Sequence, residues 1–349
     1  MSANAQGTTS SVASKFGFGS LVRRPEFGAL IGAVAVYIFF SIAGGKAFSD
    51  VGGSASWLNV AAEVGIIALP VALVMIAGDL DLSVGSTLAG SSMTFAIISG
   101  FYGLPTWIGA IAAILLGAGI GWLNGYIVTR TNLPAFVVTL ATMFAVQGLT
   151  LGFTRLLVGS TSVTMTPDST FMFLFGNLIA GLFETAVVWW VVVAALVSWI
   201  LYKTKYGNWI YAIGGDVISA RATGIPVAKV RIWLFVGSGV GAALVGVIQT
   251  CLYSGAQVAA GQSFVFNSII AVVIGGVLLT GGYGSTIGVI LGTITFGVVN
   301  QGIYYTGFDA NWASLIIGVL LLAAVLLNNT FRAMAISHAA PRIKPKAAP

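Results

Sequence analysis

Side chains able to do chemistry are scarce in this chain of 349 residues. One cysteine (Cys251) and one histidine (His338) leave no material for a disulfide framework or a transition-metal site. Nucleotide chemistry is equally unsupported. The only Gly-Lys pair, Gly45-Lys46, lacks the preceding glycine and the following hydroxyl of a phosphate-binding loop. The glycines at 282, 284 and 288 have the wrong spacing for a dinucleotide fingerprint, and no H-E-x-x-H, nucleophile elbow or cysteine pair occurs. The carboxylates Asp79 and Asp81, in GDLDLSVGS (78–86), are the one pair a membrane-embedded transferase could use. A chain that performs no catalysis, binds no metal and holds no cofactor of its own is the expectation.

The elements around these residues belong to a membrane. Charged residues are 7% of the chain, hydrophobic ones 58%, and 46 positions are glycine; mean hydropathy is +1.00. An ordinary soluble domain carries about 25% charged residues, so a water-soluble globule is excluded, and so is disorder. A spanning helix needs about 20 mostly apolar residues. That window predicts ten spans, at 27–45, 57–77, 84–102, 105–128, 134–154, 177–202, 230–254, 266–282, 284–304 and 312–331. The resulting chain is all-α and polytopic: a tail (1–26), a transmembrane domain (27–331) and a second tail (332–349). Continuously apolar runs argue against a β-barrel. Segment 27–45 reads as an uncleaved first span, being too long for a signal-peptide core.

Threading the chain from a cytoplasmic N-terminus puts thirteen of the fifteen Lys/Arg on one side, with only Lys46 and Arg155 opposite. The positive-inside rule then places both termini in the cytoplasm. The net charge of +6 reads as topology and headgroup attraction, with no nucleic-acid partner. Only Glu63 and Glu184 fall inside predicted spans. Glu63, about one and a half turns from the outer end of its span, is either a snorkelling or capped carboxylate or a functional one. An ion-coupled carrier acting alone would need it, and loss of a proton-dependent uptake in Glu63→Gln would favour that rival. Glycines four apart (Gly117, Gly121, Gly125; Gly237, Gly241; Gly284, Gly288, Gly292) make smooth helix stripes for internal packing, for sliding surfaces or for a subunit interface. Their placement in spans four and nine hints at two inverted five-helix repeats.

Two connections are long: 155–176 outside, and 203–229 inside with the basic cluster Lys203, Lys205, Arg221 and Lys229. In the inner loop, Tyr206-Gly207 leaves the sixth span and Ala212-Ile213-Gly214-Gly215 is expected to turn. Asp216 or Ser219 then caps a short amphipathic helix containing Ala220 and Arg221, ending at Gly224 before Ile225-Pro226. A small-residue helix of this kind fits a cleft in a partner; a basic loop held by anionic lipid is the alternative.

The segments GDLDLSVGS (78–86), NLPAFVVTLATMFAVQGL (132–149), YGNWIYAIGGDVISARATGIP (206–226) and GGVLLTGGYGSTIGVILGTI (275–294) together resemble the permease subunits of ATP-binding-cassette importers for simple sugars, the ribose/xylose/galactose class. The similarity runs from about residue 57 to 329. It implies a dimeric permease core, with identical or paired chains, and two cytoplasmic ATPases that use the ATP. It also implies a periplasmic binding protein that delivers a monosaccharide, an inner-membrane location, alternating access and a ten-helix fold like that of the cobalamin importers. The inner loop then becomes the ATPase dock. This chain departs from the common pattern at Asp216 (usually Asn), at Ile218-Ser219 (usually Glu-Ala), where the absent Glu leaves no acidic side chain for a salt bridge to the ATPase, and at Asp79 (commonly Gly). Branched-chain amino-acid or nucleoside permeases of the same superfamily are the nearest rival reading.

Asp81 and Ser83 could accept hydrogen bonds from the N–H groups opening the third span, or, with Asp79, line an inner gate. Asn132-Leu133-Pro134 reads either as a turn and helix start or, through Asn132, as part of a gate or pathway. Further polar residues at membrane depth are Thr139, Thr142, Gln147, Asn124, Trp122, Gln249 and Asn300. Each is either a helix–helix hydrogen bond or interfacial anchor, or part of a sugar pathway.

Overall fold

The computed structural model describes residues 25–131 and 133–307, with scattered positions between 309 and 323. Its long helices are α1 (Pro25–Ala43), α2 (Val51–Ile76), α3 (Val84–Ala96, continued by a π-helical turn to Phe101), α4 (Thr106–Arg130), α5 (Ala135–Val158) and α6 (Ala186–Lys203). Two shorter helices, α7 (Lys205–Gly215) and α8 (Val217–Ala222), precede α9 (Val227–Leu252), α10 (Gln262–Ile274) and α11 (Thr286–Tyr305). Among the described residues strand is confined to the antiparallel pairs β1 (Ser162–Thr164) with β4 (Gly255–Gln257), and β2 (Leu178–Ile179) with β3 (Phe183–Glu184). The protein is an all-α polytopic membrane protein.

Eight helices among the described residues are long and apolar enough to cross a membrane, namely α1 to α6, α9 and α11. Three predicted spans need correction. The span at 266–282 is the 13-residue α10 followed by a loop, because Gly276, Gly281 and Gly282 adopt positive φ and end the helix. The span at 177–202 starts only at Ala186: its first apolar stretch turns back at Ala180 and Gly181, both at positive φ, to form the β2–β3 hairpin. Glu184 therefore lies in that hairpin. The second span starts six residues early, because the Asp50 carboxylate caps α2 by accepting the Gly53 N–H at 2.7 Å. Glu63 is thus about three turns inside its helix. The tenth span (312–331) falls largely outside the described residues, as do the two tails apart from Pro25 and Glu26.

The core is built from α2, α3, α9 and α11, with α1, α5 and α6 presenting most of their surface outward. Glycine makes the close crossings possible. A Cβ on Gly121 would sit 2.2 Å from the Phe235 carbonyl oxygen of α9, and one on Gly117 would sit 2.4 Å from that of Gly239. Gly288 and Gly292 of α11 meet the Gly275 and Ala271 carbonyls in the same way, while Gly241 packs on Pro70 of α2. The stripes on α4 and α11 thus serve internal packing. The pairing is reciprocal: α4 of the first half lies on α9 of the second, and α11 of the second half lies through Gly297 on Trp57 and Ala61 of α2.

Candidate functional site: a helical elbow at one end of the bundle

At one end of the bundle α6 stops at Lys203 and the chain doubles back as α7. Thr204 caps the new helix, its hydroxyl accepting the Tyr206 N–H at 3.2 Å. Gly207 lets it fold against α6, since a Cβ there would meet the Leu201 carbonyl at 1.8 Å. Ile210 and Ile213, three apart, bury one face, whereas Tyr206 is exposed with Lys205 lying over its ring and that of Trp209. Ala212, Ile213, Gly214 and Gly215, expected to turn, are the last turn of α7. The correction has a tertiary cause. Gly214 docks onto backbone, where a Cβ would meet the Ile76 carbonyl oxygen at 1.8 Å and the Gly282 nitrogen at 2.5 Å. Those two atoms are themselves bonded, Gly282 N–H donating to Ile76 O at 2.8 Å. The Tyr211 hydroxyl adds a bond to the Gly284 carbonyl at 2.7 Å. The end of α7, the end of α2 and the 275–285 loop are therefore one joint.

Beyond this joint, α8 projects. Asp216 caps it, accepting from Ile218 N–H at 3.0 Å, Ser219 N–H at 3.3 Å and the Ser219 hydroxyl. The Ser219 hydroxyl, followed by the two backbone N–H groups, holds the Asp216 carboxyl below its ordinary value. The cap is thus fully charged at neutral pH, and is lost only as acidification passes below the usual carboxylate range. Ala220 faces the protein; Ile218 is 77% exposed, and Arg221 is exposed beside it. Gly224 closes the unit at φ +84°, with open space where a Cβ would point, ahead of Ile225 and Pro226. Gly224→Trp adds a bulky ring to this projecting tip and strains a left-handed position by about 1–2 kcal/mol. Normal insertion with loss of transport is the expected result, measured as membrane-fraction yield against uptake. Unchanged uptake at wild-type expression would refute a role for the tip.

Asp79 and Asp81, adjacent in sequence, have separate partners. The Asp79 carboxylate takes a two-pronged ion pair from Arg231, through Nε and Nη2, near the start of α9. Asp79 is buried, so the turn after α2 is clamped to the helix that follows α8. Sequence reading missed this pair; its one signal was an arginine just inside an apolar span. Asp81 Oδ1 accepts from Ser83 N–H at 3.0 Å and from the Ser83 hydroxyl at 2.6 Å, and that hydroxyl accepts from Asn124 Nδ2 at 2.8 Å. Ser83 makes no side-chain cap to α3, contrary to one expectation, because its hydroxyl is held by Asp81 and Asn124. All three residues are buried. The Thr139 hydroxyl joins the same region, donating to the Leu80 carbonyl at 3.1 Å.

The other polar residues are dispersed. Gln249 donates to Glu63 at 2.9 Å inside the bundle, a pairing of α9 with α2. The Thr142 hydroxyl returns to its own helix at the Val138 carbonyl, and Asn300 accepts from neighbouring Gln301. Trp122 stacks on Tyr126 on an exposed face of α4. Asn132 lies outside the described residues. Gln147 borders a cavity of about 200 Å³ between α3, α5 and the start of α10.

Residues 53–325 match the family model described as branched-chain amino acid transport system / permease component. Among curated proteins, the chain is 34% identical over 269 residues to a ribose import permease protein of Escherichia coli (strain K12), covering 76% of this chain and 81% of that protein. It is 33% identical over 279 residues to the ribose import permease protein of Bacillus subtilis (strain 168), covering 78% and 84%. With a fructose import permease protein of Rhizobium meliloti it shares 32% over 309 residues, covering 86% and 84%. No solved structure matches it. The joined helices at one end, the apolar bundle and these matches place the chain in the branched-chain amino acid transport system permease family, as a multi-pass membrane component of a transport system.

Proposed function

We propose that the chain is the permease of an ATP-driven importer of a monosaccharide. The observation that carries the reading is the α7–α8 elbow: a capped helix presenting Ile218 and Arg221 outward, fixed by Gly214 to the end of α2 and to the 275–285 loop. A partner that moves α8 therefore moves two elements of the bundle. The partner is a pair of cytoplasmic ATPase subunits, which use the ATP; this chain binds no cofactor itself. The elbow, both termini and the two tails face the cytoplasm of a bacterial inner membrane, as the distribution of Lys and Arg favours. A second permease chain completes the core, and a periplasmic binding protein supplies the solute on the β2–β3 hairpin side. The ten-span, cobalamin-importer-like arrangement and transport by alternating access belong to the same reading. The names of the ribose and fructose relatives support the substrate class.

Gentle-detergent purification of the tagged chain from its native membrane tests this directly. An ATPase is expected at stoichiometric level, and is expected to be lost when residues 212–224 are scrambled. A chain that purifies alone and still moves solute in vesicles without ATP would overturn the reading.

A further inference from the structure

Halfway along the bundle, two helix starts meet. Gly85, in the first turn of α3, and Gly261, just before α10, touch backbone to backbone: a Cβ on Gly261 would lie 1.8 Å from the Gly85 carbonyl oxygen. Two hydrogen bonds fix the depth of this crossing. Ser92 of α3 bonds Thr250 near the end of α9 at 2.8 Å, and Gly85 lies seven residues, roughly 10 Å, farther along α3 toward the elbow. On the elbow side, Ser83 bonds Asn124, which is six residues, roughly 9 Å, from the end of α4 at Arg130. The crossing is therefore far from both ends.

Beside it lies the cavity of about 200 Å³, walled by Ser86, Gln147, Gln262, Met143 and Phe266. The Gln147 side chain is half-buried and that of Gln262 is exposed, and neither carboxamide bonds another protein group among the described residues. Two free carboxamides bordering one hollow offer a polar solute both donors and acceptors. Its chemistry follows from the wall. Carboxamides and a hydroxyl both donate and accept, which matches alcohol groups. Phe266 and Met143 offer apolar surface to C–H faces. Among the described residues no charged side chain lines the cavity, so neither end of a zwitterion finds a counter-charge there. The volume equals that of about six or seven waters at about 30 Å³ each, the size class of one small solute.

We propose that this cavity is a transit site for a neutral, hydroxyl-rich solute of monosaccharide size, held by Gln147 and Gln262, and that it disfavours amino acids. The proposal rests on the importer reading and adds to it where in the membrane the solute is held.

The test uses the whole importer, permease with its ATPase and binding protein, reconstituted in liposomes and supplied with radiolabelled D-ribose, D-fructose or L-leucine. Gln147→Leu and Gln262→Leu are each expected to lower maximal sugar uptake at least tenfold at saturating binding protein. Gln147→Asn and Gln262→Asn, which keep the amide, are expected to stay within threefold. Copurification of the ATPase at the wild-type ratio shows that a variant is assembled. Independently, Ala89→Cys in a Cys251→Ala background should react with N-ethylmaleimide at least threefold more slowly when sugar-loaded binding protein and ATP are present. Full uptake by the double leucine variant, or unchanged labelling, overturns the proposal. So does a disulfide between Phe266→Cys in two copies of the resting complex, which would show that the second permease fills the hollow. A wild-type importer that carries leucine and neither sugar refutes the importer's sugar specificity itself, and this site with it.

Discussion

Gly214→Val is expected to abolish transport while leaving the spans inserted. The new side chain would enter a space where even a Cβ meets the Ile76 carbonyl at 1.8 Å and the Gly282 nitrogen at 2.5 Å. Both atoms are backbone and are bonded to each other, so neither yields as the tip of a flexible side chain would. Ordinary overpacking costs about 1–3 kcal/mol, and this site lies at or above the top of that range. α7 must then lift off the end of α2 or break the Gly282–Ile76 bond. Uptake in vesicles is expected to fall more than tenfold. The matched control is Gly119→Val on α4, where a Cβ meets nothing within 4 Å and activity should change less than twofold. Wild-type uptake by Gly214→Val would show that α7 does not transmit motion through this joint.

Removing either partner of the Asp79–Arg231 pair is the second large effect. The pair links positions 152 apart, and the Asp79 side chain is only 4% exposed. Truncating one member of a buried pair leaves an uncompensated charge, at a cost of about 3–5 kcal/mol. Asp79→Ala and Arg231→Met should each lower the detergent-solubilised melting temperature sharply. Asp79→Leu combined with Arg231→Met removes both charges, and should recover much of the loss by the same argument. The double variant should still be defective in uptake, because the turn after α2 is no longer tied to the helix that follows α8. Single variants as stable as wild type would show that the ion pair contributes nothing.

Much of the elbow was legible in advance because its determinants are local. Asp216 caps residues two and three positions away, and Gly224 closes a helix whose cap lies eight residues earlier. The spans were legible where apolar runs are unbroken, and misread where glycine intervened. The VGGSAS stretch hid the first turns of α2, and the LIAGLF stretch is apolar enough for a span but turns back as a hairpin.

Composition alone determined that this chain lies in a membrane, because that conclusion follows from how few charged side chains exist. Only the tertiary structure decided which side chains meet. Arg231 could pair with Asp79, Gln249 with Glu63, and Gly214 could lodge on Ile76 only after helices more than a hundred residues apart had packed. The unpartnered amides of Gln147 and Gln262 likewise acquire meaning from a cavity that no single segment encloses. Local hydrogen bonds and hydropathy act over one or two helical turns, whereas such contacts depend on how α2, α9 and the 275–285 loop cross, which glycine spacing permits but does not specify.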